Sequence, residues 1–150
     1  MEFRWDAPKN YKKLYYWQSS SEKRDRSTYY LVIRERDRHA AILKLSVTIP
    51  DHFDATIKSK KLSLCKLQLG GMLQKTKCIE KIPAVFEIAE DQSEIDVFPK
   101  KPISADGHFA LVMKIFNPDS AGMYQFNALA QAPGDVPMAG YLGSWNIDIE

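Results

Sequence analysis

Three histidines are the residues whose chemistry could most directly serve catalysis. His52 lies in the sequence Asp-His-Phe-Asp at positions 51–54, where two carboxylates flank an imidazole and could hold a cation. A solvated turn after Pro50 explains the same residues, because Asp side chains often accept hydrogen bonds from backbone amides in turns. His39 and His108 fall in polar segments without the partners of a catalytic triad. The sequence therefore predicts no catalytic residue, no metal and no cofactor, and we expect a protein that is not an enzyme.

Cys65 and Cys78 flank a segment with a glycine pair at positions 70 and 71, which predicts a β-hairpin. A four-residue loop would place Cys65 directly opposite Cys78, with their Cβ atoms within about 4.5–5.5 Å, close to the distance that a disulfide needs. We therefore predict a disulfide between them. The alternative is two reduced cysteines that are buried as small apolar residues. The twelve intervening residues are too many for a zinc knuckle.

Aromatic and basic residues are interleaved near the start of the chain. Aromatic faces beside cations suit stacking on sugars and contact with acidic polymers. Tyr15 and Trp17 could instead share the core-facing side of a strand, which would leave Tyr16 and the lysines in solvent. The residues that we predict to contact a partner are Trp5, Tyr11, Lys12, Lys13, Tyr16 and Trp17.

Short segments with a two-residue hydrophobic period must position these side chains. Leu43, Leu45, Val47 and Ile49 alternate with polar residues, which is typical of a half-buried strand. The same period recurs at 85–88, 95–98, 109–115, 124–130 and 145–149. Residues 29–33 are rich in aromatic and β-branched residues and predict another strand. A charged connection or a short helix joins that strand to the one that follows. The sequence predicts an all-β, antiparallel two-sheet β-sandwich that is immunoglobulin-like and has at most one short helix.

Length and charge restrict the protein classes. The 150 residues, 45% of them apolar, predict a single β-sandwich domain spanning 1–150. Residues 1–61 carry 14 basic and 8 acidic residues, a net charge of +6, and the remaining 7 basic and 11 acidic residues give −4. The overall charge of +2 is far below that of a typical nucleic-acid-binding domain, so we expect no nucleic acid partner.

The segments around Tyr124 and Trp145 predict structural roles. Tyr124, with Asp119 and Gly122 ahead of it, is similar to the tyrosine corner of immunoglobulin-like sandwiches, although Phe126 stands where that pattern has Cys. We expect the Tyr124 hydroxyl to bond back to a backbone group while its ring packs. Trp145 is expected to face the core.

The second half of the chain resembles a cyanobacterial family of small exported β-proteins recorded as a domain of unknown function. The resemblance rests on residues 99–149, especially 116–118, 122–128, 132–135 and 141–149. Residues 43–50, 95–97, the two cysteines and the glycine pair extend it over most of the chain. It implies export to the periplasm or thylakoid lumen, with a signal peptide that this sequence lacks. That oxidising compartment favours the disulfide. The resemblance implies no activity.

We therefore expect a non-enzymatic exported interaction module that binds a macromolecular partner, most simply a protein, in the periplasm, thylakoid lumen or cell envelope. The first alternative is a glycan-binding surface module that uses Trp5, Trp17 or Trp145 as stacking platforms. The second is a hydrolase with an unrecognised site. The sequence has no apolar run of the ~18 residues that a spanning helix needs, so we do not expect it to span a membrane.

Overall fold

The computed structural model describes residues 11–69, 77–134 and 139–150, and these residues form ten β-strands. They are β1 (Tyr16–Gln18), β2 (Arg26–Ile33), β3 (Lys44–Thr48), β4 (Leu62–Gln68), β5 (Lys77–Lys81), β6 (Ala84–Ile88), β7 (Glu94–Pro99), β8 (His108–Phe116), β9 (Gly122–Gln131) and β10 (Ala139–Ile149). Two short 3₁₀ turns, at Glu35–Asp37 and Ser59–Lys61, are the helical elements of this part of the chain. The charged connection after β2 is thus a single 3₁₀ turn within a loop.

The strands form two antiparallel five-stranded sheets. The first sheet has the order β10-β9-β3-β7-β6, and the second has the order β1-β2-β8-β4-β5. This arrangement confirms the predicted antiparallel two-sheet β-sandwich. Its alternating strands each give one face to the space between the sheets.

The core lies between the sheets and is built by the predicted alternation. Leu45 and Val47 of β3 meet Phe126 and Ala128 of β9 there, and all four side chains are fully buried. Each large apolar side chain buried in this way stabilises the fold by about 1.5–3 kcal/mol. Leu43 was expected on the same face but is exposed, because β3 begins at Lys44.

A tyrosine fixes the turn between β8 and β9. The Tyr124 hydroxyl donates a hydrogen bond to the Ser120 carbonyl oxygen at 2.7 Å, and the buried ring meets the edge of Phe53 at a centroid distance of 5.1 Å. Gly122, between them, has a φ of +147°, a conformation that favours glycine. The bond and the ring contact join the start of β9 to the loop that follows β3.

Trp145 lies at the centre of the core. Its ring is fully buried, and its Nε1–H donates to the Val32 carbonyl oxygen at 3.1 Å, so one side chain of the first sheet bonds to the backbone of the second. A buried indole cannot stack on a glycan, and the suggestion that Trp145 is a stacking platform is therefore wrong.

The hairpin of β4 and β5 carries a disulfide between Cys65 and Cys78, with Cα atoms 5.7 Å apart. The predicted register is wrong: Cys78 pairs with Leu67, Cys65 pairs with Lys81, and a β-bulge lies between the two pairs. Because Cys65 and Leu67 share one face of β4, Cys65 still reaches Cys78 diagonally. The predicted turn at positions 70 and 71 lies outside the described residues.

Candidate partner-binding surface

Residues 11–18 run from the edge of the first sheet to the edge of the second. Leu14 N–H donates to the Ser144 carbonyl oxygen at 2.7 Å, and Ser144 N–H donates to the Lys12 carbonyl oxygen at 2.8 Å. One residue later, the Tyr15 carbonyl oxygen accepts from Val32 N–H at 3.1 Å. The segment therefore closes one side of the sandwich with its own backbone.

The side chains of this segment alternate between core and solvent, but Tyr15 and Trp17 are not the ones that face the core. Leu14 and Tyr16 pack against the core, whereas Tyr15 and Trp17 are exposed. The Tyr16 hydroxyl accepts a hydrogen bond from Asp148 N–H at 3.0 Å. Burial raises the pKa of that hydroxyl, and the bond to Asp148 partly offsets the rise. The expectation that Tyr16 lies in solvent is wrong, because the segment must fill the gap beside β10.

The six predicted contact residues do not form one cluster. Tyr11, Lys12 and Lys13 are exposed along β10, where Asn146 Nδ2 donates to the Tyr11 hydroxyl at 2.6 Å. Trp17 lies on the outer face of the second sheet, and Trp5 lies outside the described residues. A second aromatic residue, Tyr30, joins Trp17 there.

The outer face of the second sheet is apolar. Trp17 is 43% exposed and packs against Tyr30, with ring centroids 5.4 Å apart and planes tilted by 58°. Beside this aromatic pair, small apolar side chains of the three central strands form a second buried cluster. Its members are Val32, Cys65, Leu67, Ala110 and Val112. The second sheet thus has apolar side chains on its outer face as well as on its inner face.

A sequence pattern other than the two-residue period indicates this apolar face. Residues 29–33 and 109–113 are continuous apolar runs rather than alternating ones. A strand of that composition has apolar side chains on both faces. Because β2 and β8 are neighbours in register, their two runs coincide on the outer surface.

Polar side chains on the outer face of the first sheet are hydrogen-bonded to one another. Ser144 Oγ donates to Asn127 Oδ1 at 2.7 Å, and Asn127 Nδ2 donates to Thr48 Oγ1 at 3.2 Å. Farther along the sheet, Ser46 Oγ donates to Asp96 Oδ1 at 2.7 Å. A hydrogen bond with Asp96 raises the pKa of the Glu94 carboxyl on this face. These side chains satisfy one another, whereas Trp17 on the opposite sheet is half exposed.

His52 and His108 each contact another residue of the fold. The His52 ring stacks on Tyr124 at a centroid distance of 4.7 Å, and His108 Nδ1 accepts from Glu35 N–H at 3.1 Å. His108 and His39 line an open hollow of about 850 Å³.

Arg38 also lines this hollow, and its guanidinium donates to the carbonyl oxygens of Ser104 and Gly107 at 2.8 and 2.9 Å. Burial lowers the pKa of Arg38. Across the described ranges, no group of three or more His, Cys, Asp or Glu side chains could hold a metal ion. Through its hydrogen bonds to Ser104 and Gly107, Arg38 anchors the 104–107 loop to the segment after β2.

No helix in the described part of the chain is long and apolar enough to cross a membrane.

Solved structures resemble the chain at low sequence identity. BslA, a bacterial hydrophobin, has a TM-score of 0.56 at 16% identity, covering 92% of this chain and 91% of its own. The collagen-binding subdomain of the Enterococcus faecalis surface protein ACE has a TM-score of 0.49 at 6% identity, with 94% and 99% covered. The collagen-binding domain of a Staphylococcus aureus adhesin has a TM-score of 0.47 at 11% identity, with 91% and 95% covered. At these identities the likeness is one of fold alone.

No curated protein matches the chain. A family model does match, over residues 3–149, and its description is protein of unknown function, DUF2808. The chain therefore belongs to the DUF2808 family.

Proposed function

We propose that this protein is a non-enzymatic interaction module that binds a partner protein through the outer face of its second sheet. The observation that carries the proposal is the half-exposed Trp17 indole, packed on Tyr30 over a buried apolar cluster. The first sheet, in contrast, has hydrogen-bonded polar side chains over the middle of its outer face, although Met123 is exposed at one end. Trp17 and Tyr30 are the centre of the binding face.

Physical chemistry favours this face for association. Tryptophan and tyrosine are enriched at protein interfaces because their large rings release much water when they are covered. The ring of Trp17 is held by Tyr30 and by a strand backbone, so binding would cost little side-chain entropy. The apolar surroundings give a partner an area from which water is excluded.

We place this binding outside the cytoplasm, in the periplasm, thylakoid lumen or cell envelope of a cyanobacterium. The disulfide between Cys65 and Cys78 supports an oxidising compartment. The cyanobacterial source rests on the sequence resemblance.

A glycan-binding role is the second candidate, and the exposed Trp17–Tyr30 pair favours it. Aromatic rings can stack on the apolar face of a sugar. A glycan array probed with the wild-type protein and with Trp17→Ala distinguishes the two candidates. Binding to one glycan class that depends on Trp17 would replace the protein partner by a glycan.

Capture from the envelope extract of the source organism tests the protein partner. The immobilised wild-type protein is compared with Trp17→Ala and with Met123→Ala. Met123 is a matched control because it is an exposed apolar residue, 58% accessible, on the outer face of the first sheet. We expect a discrete captured protein that is lost with Trp17→Ala and retained with Met123→Ala. Equal capture by all three proteins would contradict the proposal.

A further inference from the structure

We infer that a groove beside Trp17 and Tyr30 binds an extended acidic segment of the partner protein. The groove has a volume of about 480 Å³ and is lined chiefly by Arg26, Thr28, Lys58, Lys61, Lys114 and Phe116. We call it the Phe116 groove. The inference rests on the proposed function and adds the chemical class of the segment that docks.

The Phe116 groove continues the apolar face of the second sheet. Thr28 and Tyr30 lie on the same side of β2, two residues apart, and Thr28 pairs with Lys114 of β8. Arg26 pairs with Phe116 at the next position on that side. A partner that covers the aromatic pair therefore reaches the groove within about 7 Å, the distance between alternate residues of a strand.

All four charged side chains that line the groove are basic. Four cations around one small groove create a positive potential that repels a basic partner and attracts an acidic one. The nearby carboxylate of Asp54 lies in the adjoining hollow, where its Oδ1 accepts from Asp119 N–H at 3.2 Å. Phe116 and Lys58 line both hollows, so the sign of the charge changes across them.

Phe116 gives the groove an apolar contact. Its side chain is 61% exposed, and the Arg26 guanidinium carbon lies 5.6 Å from the ring centroid. The guanidinium covers part of the ring that a sugar would need for stacking, while it remains able to bond a carboxylate. This arrangement favours a peptide with carboxylates and an apolar side chain over a polysaccharide.

The spacing also fits an extended peptide. Lys114 and Phe116 are alternate residues of one strand, so their side chains repeat at about 6.6–6.8 Å. Alternate side chains of an extended peptide have the same repeat. A segment that alternates Glu with small residues, and has one apolar side chain, would match carboxylates to the lysines and the apolar group to Phe116.

Fluorescence anisotropy with a defined probe tests the inference. The probe is a labelled peptide in which Glu alternates with Ser and one central position is Leu, and its comparison peptide has Gln for every Glu. We expect the acidic peptide alone to bind, and to bind more weakly as salt rises, because exposed charges are screened. Lys58→Gln with Lys114→Gln should weaken binding about tenfold.

The matched control carries Lys100→Gln with Lys101→Gln, two exposed lysines directly after β7 of the first sheet, and it removes the same charge. It should stay within about twofold of the wild type. Phe116→Ala should weaken binding of the Leu-containing peptide more than that of a version with Ser in place of Leu. Absence of peptide binding, equal losses in the two double variants, or binding of heparin without the peptide would overturn the inference.

The acidic segment and the binding face can be rejected independently of each other. Trp17→Ala leaves all four groove cations in place, so it tests the face without altering the groove charge. Partner capture that depends on Trp17 but not on Lys58 and Lys114 would reject the acidic segment and keep the proposed function. Capture that depends on neither set would reject the proposed function itself.

Discussion

At the scale of single residues, Tyr124 is the clearest link between sequence and structure. Its hydroxyl bonds the Ser120 carbonyl oxygen at 2.7 Å. Tyr124→Phe keeps the ring and removes this bond, so we expect the free energy of unfolding to fall by about 1 kcal/mol. Chemical denaturation measures the change, and Tyr15→Phe, at an exposed tyrosine, is the control. Equal stabilities of the two variants would show that the hydroxyl is not a clamp.

Tyr29 makes stability depend on alkaline pH. Burial raises the pKa of its hydroxyl above the ordinary value of 10.0, with a smaller contribution from Tyr16, and the hydroxyl donates to Asn117 Oδ1. The folded state therefore keeps this proton at pH values where the unfolded chain has lost it. Stability from this group is complete below pH about 10 and is lost as the pH rises towards the folded-state pKa.

The variant Tyr29→Phe isolates this effect. It should be less stable than the wild type at neutral pH because Asn117 Oδ1 loses the hydrogen bond from the Tyr29 hydroxyl, and the difference should shrink as the pH rises from about 9 to about 11. Thermal melting over that range measures the difference. A difference that stays constant with pH would mean that the Tyr29 hydroxyl does not titrate differently in the folded chain.

At the scale of elements, the crossing segment 11–18 depends on a glycine in β10. Gly143 has a φ of +157°, and a Cβ added there would lie 2.6 Å from Leu14 Cγ. Gly143→Ala should therefore push Leu14 out of the core and cost about 1–3 kcal/mol. Gly140→Ala is the control in the same strand, because its nearest heavy atom would be the Ala130 carbonyl oxygen at 4.0 Å.

We expect Gly140→Ala to change stability by no more than about 0.5 kcal/mol. Amide hydrogen exchange at Leu14 and Ser144 should speed up in Gly143→Ala alone, because these amides hold the segment to β10. Unchanged exchange and stability in Gly143→Ala would show that the close packing of Leu14 is not needed.

The sequence predicted the strands better than it predicted their partners. Alternation identified the inward residues of β3, β8, β9 and β10 because that pattern is local. The register of the disulfide hairpin was wrong because a β-bulge interrupts it, and local hydrophobicity does not encode a bulge. The contact of Leu14 with Ser144 joins the two ends of the chain, so no local pattern could reveal it.

The candidate site was predicted in part for the same reason. Trp17 was selected from its type and its basic neighbours, but Tyr30 was assigned simply to a strand. Phe116 lies at the end of β8, and its exposed ring meets Arg26 because β2 pairs with β8. Pairing between distant strands therefore assembled a face whose parts are far apart in sequence.

At the scale of the whole molecule, the two outer faces differ in kind. The first carries a hydrogen-bonded polar network and the exposed Met123, and the second presents Trp17, Tyr30 and the basic Phe116 groove beside a buried apolar cluster. Trp17 and Phe116 are the exposed rings of the second face, and a partner that covers them can bury both while the first face stays in water. This asymmetry is the basis of our account.

Photo-crosslinking in living cells tests that account most directly. A photoreactive amino acid replaces Thr28, which lies on the outer face of the second sheet, or Gln125, which is exposed on the outer face of the first. We predict a discrete protein adduct from position 28, lost when Trp17→Ala is added, and none from position 125. Adducts from position 125 alone, or equally from both positions, would contradict a binding face on the second sheet.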